Sequence, residues 1–128
     1  MADKKNVEDL MNTPDTTAEF DQSDIDNNKV MGVLSYLGIL VIIPLLAAKE
    51  SKFARFHANQ GLILVIVEIL AAAVLGALSG IPLIGWIFSI ASALIGIASL
   101  VLAIIGIVNV VNGKAKELPI IGGYKLLK

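Results

Sequence analysis

GLILVIVEILAAAVLGALSGIPLIGWIFSIASALIGIASLVLAIIGIVNVV, residues 61–111, contains a single ionisable side chain, Glu68. The stretch divides at Gly80-Ile81-Pro82. Pro82 has no N–H to donate and biases Ile81 away from the helical region. Two apolar runs result, about 61–79 and 83–111. At 1.5 Å per residue, each is long enough for a hydrocarbon core of about 30 Å. The uncharged turn between them predicts a tight hairpin, with Trp86 anchoring it at headgroup depth.

Outward from this stretch, a third apolar run occupies residues 30–48 and carries no charge. Its upstream flank is acidic and it begins about thirty residues into the chain, so it reads as a retained span, not a cleaved leader. Pro44 is tolerated there if neighbouring helices satisfy the freed backbone group. The predicted fold is therefore all-α, a polytopic membrane protein with three transmembrane helices in a domain spanning residues 29–113. Residues 1–28 hold eight of the eleven acidic residues and few apolar ones, which predicts a disordered acidic tail. Residues 114–128 form a basic C-terminal tail. Lysine and arginine near the span ends then place the N-terminus outside and the 49–60 loop and C-terminus in the cytoplasm of a bacterial plasma membrane.

The composition agrees with a membrane chain: 56% of residues are hydrophobic and only 16% charged, against about a quarter charged in soluble domains. The absence of cysteine excludes disulfides, thiol catalysis and cysteine metal sites. No phosphate-binding loop, GxSxG elbow or HExxH pair is present, and no paired carboxylates lie in the apolar body. The expectation is a non-enzyme without cofactor, catalytic residue or metal site, and without a nucleic-acid partner.

Two polar features interrupt the apolar pattern. The first is KESKFARFHANQG, residues 49–61, which holds the only histidine. Ser51 can cap a helix. Lys49, Lys52, Phe53, Arg55 and Phe56 read as lipid-headgroup anchors, aromatics toward lipid and cations toward phosphates, with Lys114 and Lys116 doing the same after the last span. His57, Asn59 and Gln60 are polar beyond what anchoring needs and are candidate functional or partner-contact residues.

The second feature is Glu68, about two turns inside its span, where a charge costs on the order of 3 kcal/mol and should face protein or water. Glu68, Ala72, Gly76 and Ser79 share one helical stripe, and Ser89, Ser92, Gly96, Ser99, Ala103 and Gly106 form another. Small-residue stripes let membrane helices approach closely. Matched depth makes Ser99 the predicted hydrogen-bond partner of Glu68, with Asn109 deeper. Gln60 also lies on the helical side that leads toward Glu68, which raises the question of one continuous polar face.

The blocks SYLGIL, FARFHANQGL, IPLIGW and NGKAKELP together resemble the bacterial members of the chloroplast protein-import component family, the Tic-twenty-like proteins, over residues 30–123. That resemblance implies a small helical membrane protein acting as an assembly or interaction component. Its partners would be the lipid bilayer, further copies of itself or other membrane proteins. The plastid members have four spans where this chain shows three. Two alternatives stand beside that reading: a small pore or proton- or cation-linked transport element using Glu68, and a holin-like membrane-permeabilising protein.

Overall fold

The computed structural model describes residues 11–127. Its regular elements are all helical. A short 3-10 turn (Thr17–Glu19) precedes α1 (Gln22–Asn27) and α2 (Lys29–Leu34). A second 3-10 turn (Gly38–Val41) leads into α3 (Ile42–Ala47), followed by the two long helices α4 (Lys52–Leu78) and α5 (Gly85–Val111). Asp15 and Lys116 form an isolated antiparallel bridge.

α4 and α5 have 27 residues each, about 40 Å of helix, and both are long and apolar enough to cross a membrane. They pack along one another, and their outer faces expose large apolar side chains such as Leu70, Val74, Leu94 and Leu100. A helix that shows apolar side chains outward is built for lipid. The turn between them is short, as Gly-Ile-Pro predicts. Leu83 there takes a φ of 74°, and Trp86 donates from Nε1 to the Leu83 carbonyl at 2.9 Å.

The first apolar run does not form a spanning helix. Among the described residues only α4 and α5 have the length, and residues 30–48 are divided among α2, a turn and α3. The path runs inward and then back. Lys29 Nζ donates to the Val111 carbonyl at the end of α5. The turn follows at Gly38, whose φ of 64° suits glycine. The chain then returns to Ser51, whose hydroxyl donates to Asp24 at 2.6 Å. The run is thus a re-entrant hairpin that starts and ends at the same end of the long helices. Close backbone approach seats it. A Cβ on Gly61 would lie 1.7 Å from the Ser35 carbonyl oxygen, and one on Gly106 would lie 2.3 Å from the Tyr36 ring.

The predicted disordered tail also needs correction. Residues 1–10 lie outside the described residues, but residues 11–28 fold onto the cap. Ile25 is buried, and Phe20 packs edge-on against Phe53 and Phe56. Asp24 holds the start of α4, accepting from Ser51 Oγ and from the Phe53 N–H at 2.9 Å. A carboxylate at a helix N-terminus satisfies free N–H groups and complements the dipole.

The described N-terminal segment meets the C-terminal one. Thr16 N donates to the Ala115 carbonyl, and Glu117 N to the Pro14 carbonyl, each at 3.0 Å. Residues 13–17 and 115–117 therefore lie at the same end of the long helices, where three successive spans would have separated them. The reason is the hairpin: two long helices return the chain to its starting end, whereas three would not. The core sits in this cap, where Ile25, Tyr36, Phe53, Val110, Ala115 and Leu118 form one buried cluster.

Candidate functional site

The block Phe53 to Gly61 lies on the first turns of α4, and its side chains point into the cap. Ser51 begins the helix as predicted, its Oγ accepting from the Ala54 N–H at 3.0 Å. Phe53 is fully buried, so its assignment as a lipid-headgroup anchor is corrected: the stripe Phe53, His57, Gln60 faces the cap core, not lipid. Helical spacing sets which residues share a face. It does not say whether lipid or protein covers that face.

His57 is buried among three rings, at centroid distances of 4.8 Å to Phe53, 5.1 Å to Phe56 and 5.5 Å to Tyr36. Its Nε2 lies 2.9 Å from the Lys114 carbonyl and its Nδ1 lies 2.6 Å from the Tyr36 hydroxyl. A carbonyl only accepts, so Nε2 carries the proton and, in the neutral ring, Nδ1 accepts from Tyr36. Both nitrogens are thereby engaged.

Asn59 and Gln60 bind the C-terminal segment in the same way. The Gln60 side chain donates to the Gly122 carbonyl at 3.0 Å and accepts from Leu118 N at 2.9 Å. Asn59 donates to the Tyr124 carbonyl and accepts from the N–H groups of Leu126 and Leu127. Asn109 on α5 adds a longer contact of 3.4 Å to the Lys116 carbonyl. No buried side-chain polar atom among the described residues lacks a partner. His57, Asn59, Gln60 and Asn109 are thus brought together as one latch that takes residues 114–127 across the cap.

A second clasp joins residues 15–17 to Ala115. Ala115 N donates to Thr17 Oγ1 at 2.9 Å. The Thr17 hydroxyl and backbone N–H both bond the Asp15 carboxylate, holding its pKa below the ordinary carboxylate range. Sequence reasoning missed Asp24, Tyr36, Thr16 and Thr17. The available signal was Phe20 and Ile25, two large apolar residues in an otherwise polar segment.

Glu68 lies elsewhere. It is partly exposed and lines a crevice of about 260 Å³ between the long helices, with Ala72, Ser92, Gly96 and Ser99. The structure brings Glu68 and Ser99 to one crevice as the stripes predict, but no hydrogen bond joins them. Leu64, 3% exposed, interrupts the side leading from Gln60 to Glu68, so the two polar features are separate. Among the anchors, Lys49, Lys52 and Lys114 are exposed at the cap end, while Arg55, Phe56 and Lys116 are half-buried there. Trp86 is 62% exposed at the opposite turn. Among the described residues, no three His, Asp or Glu side chains assemble as a metal set.

Residues 27–126 match the magnetosome magnetite crystal formation protein family. The magnetosome protein MamF of Paramagnetospirillum magneticum is 38% identical over 99 residues, covering 77% of this chain and 82% of that protein. MmsF of the same organism is 40% identical over 93 residues, 72% of this chain and 79% of its own. A UPF0132 membrane protein of Methanocaldococcus jannaschii is 39% identical over 100 residues, 77% of this chain and 66% of its own. No solved structure matches significantly. These matches correct the resemblance drawn from the sequence blocks: the chain belongs to the MamF/MmsF magnetosome protein family, a family of small membrane proteins, and not to the import-component family.

Proposed function

We propose that this protein is a non-enzymatic assembly component of a bacterial plasma membrane or of a compartment derived from it. It presents a fixed cap on one face of the bilayer and associates with copies of itself or with other membrane proteins. One observation carries this reading. The polar residues that could have formed a reactive site, His57, Asn59 and Gln60, spend their hydrogen bonds on holding the C-terminal segment. In the crystal-formation family, such a component would organise the membrane in which a crystal grows. Crosslinking in native membranes should trap a dimer or a defined partner. Recovery of monomer alone at every cap position would refute the proposal.

The cap is the cytoplasmic side in this reading. Lys29, Lys49, Lys52, Arg55, Lys114, Lys116 and Lys125 all lie at that end, while the turn at residues 79–84 carries no positive charge. An excess of lysine and arginine marks the cytoplasmic face.

A second reading is supported by the Glu68 crevice: a proton- or cation-linked element that uses the carboxylate among Ser92 and Ser99. It predicts flux in proteoliposomes that Glu68→Gln abolishes, and the absence of flux from the parent would end it. The holin-like alternative rests on three spans with an outside N-terminus and a basic C-terminal tail, and it is less favoured because only two of the described helices are long and apolar enough to span.

A further inference from the structure

One cleft of the cap borders the latch and shares Asn59 with it. It has a volume of about 550 Å³, and its lining includes Lys52, Arg55, Phe56 and Asn59 of α4, Phe20 of the N-terminal segment and Lys125 of the C-terminal one. Three of these residues are cationic, and one carboxylate, Glu19, also lines the cleft. Lys125 is set in place: its Nζ lies 2.9 Å from Glu117 Oε2 and 5.8 Å from the centre of the Phe56 ring. Lys52 is exposed at the first turn of α4. Phe20 and Phe56, 5.9 Å apart and edge to face, supply an apolar side.

The depth of the cleft matters as much as its charge. Lys52, Phe56 and Asn59 lie on one side of α4 by helical spacing. Past the covered Ile63, that side opens at Ile66, Leu70 and Val74, all exposed apolar residues. On the neighbouring elements, Leu46 and Val111 are exposed close to the cap, so the hydrocarbon edge falls near the level of the cleft. A partly apolar cavity with an excess of cations at that depth has the chemistry of a phospholipid headgroup site.

We propose that this cleft binds the phosphate-bearing headgroup of an anionic phospholipid from the cap-side leaflet. Lys52 and Lys125 face the phosphate, and the acyl chains lie against the apolar side of α4. The proposal stands whether or not the chain recruits protein partners.

The test uses the full chain in nanodiscs of phosphatidylglycerol mixed with phosphatidylcholine, with retained lipid read by native mass spectrometry. The parent should retain phosphatidylglycerol in preference to phosphatidylcholine. The double variant Lys52→Gln, Lys125→Gln should lose that preference by about tenfold while keeping its helical circular dichroism. Lys114→Gln with Lys116→Gln, which lie outside the cleft, should leave it in place. Equal retention of both lipids by the parent would overturn the proposal. So would an equal loss in the control pair, because binding would then be diffuse attraction. If millimolar inorganic phosphate displaced the retained lipid completely, the site would belong to a soluble anion and the lipid assignment would fall. Should the double variant misfold, Lys52→Glu alone, at an exposed position, gives the same reading.

Discussion

Gln60 links α4 to the C-terminal segment with both ends of one amide, and this makes it the most consequential polar side chain in the cap. Gln60→Ala would leave the Leu118 N–H and the Gly122 carbonyl buried without partners. Each such group costs about 1–3 kcal/mol. The expected result is a destabilisation of about 2 kcal/mol or more, with faster amide hydrogen exchange across residues 115–127; unchanged exchange at Leu118 would contradict the latch. Asp15 gives a pH-dependent counterpart. Its pKa is depressed in the folded protein by the Thr17 hydroxyl and N–H. The stabilisation is therefore present above the ordinary carboxylate pKa of about 4 and is lost as pH falls through the lower folded value. Thr17→Val should move the Asp15 titration back toward the ordinary range, which carboxyl NMR would register. At this scale the sequence showed which residues were unusual, but not what they bond. His57, Asn59 and Gln60 stand out as excess polarity, whereas their partners lie 21 to 68 residues away, beyond any local pattern.

Among the elements, the re-entrant hairpin depends on two glycine contacts. Gly61→Ala would drive a Cβ into the Ser35 carbonyl oxygen, a backbone atom with no rotamer to yield. A loss of about 3 kcal/mol is expected, seen as a lower thermal midpoint in detergent and as proteolysis within residues 35–48. Gly76→Ala meets open space and should leave the midpoint unchanged or slightly raised; equal effects from both substitutions would remove the contact argument. The long helices and their turn were legible because apolar length and a Gly-Ile-Pro break are local properties. The hairpin was not, since hydropathy counts apolar residues without recording the direction of the chain. Gly38 and Pro44 inside the run, with Ser35-Tyr36 before them, were the marks of a break. The folded N-terminal segment was hidden for a different reason: its stability comes from Phe53, Ser51 and Ala115, far along the chain.

For the molecule as a whole, two helices long and apolar enough to cross a membrane predict a two-crossing topology. Single cysteines placed at residues 20 and 124 should react with an impermeant maleimide from the same side of the membrane, and one at residue 82 from the other. Opposite labelling of residues 20 and 124 would restore the three-span arrangement. The same geometry makes the protein unequal across the bilayer. α2 and the residues that follow it pack against the cap-side halves of α4 and α5, whereas Gly76 and Gly96 toward the far turn meet open space; in a bilayer this would put four helices in the cap-side leaflet and two in the other. Four helical cross-sections against two is a taper, and many tapered inclusions facing one way give a membrane spontaneous curvature, convex on the cap side. With the cap toward the cytoplasm, that curvature is the shape of a vesicle lying inside the cell, and the protein should partition into small vesicles over large ones when its cap faces outward.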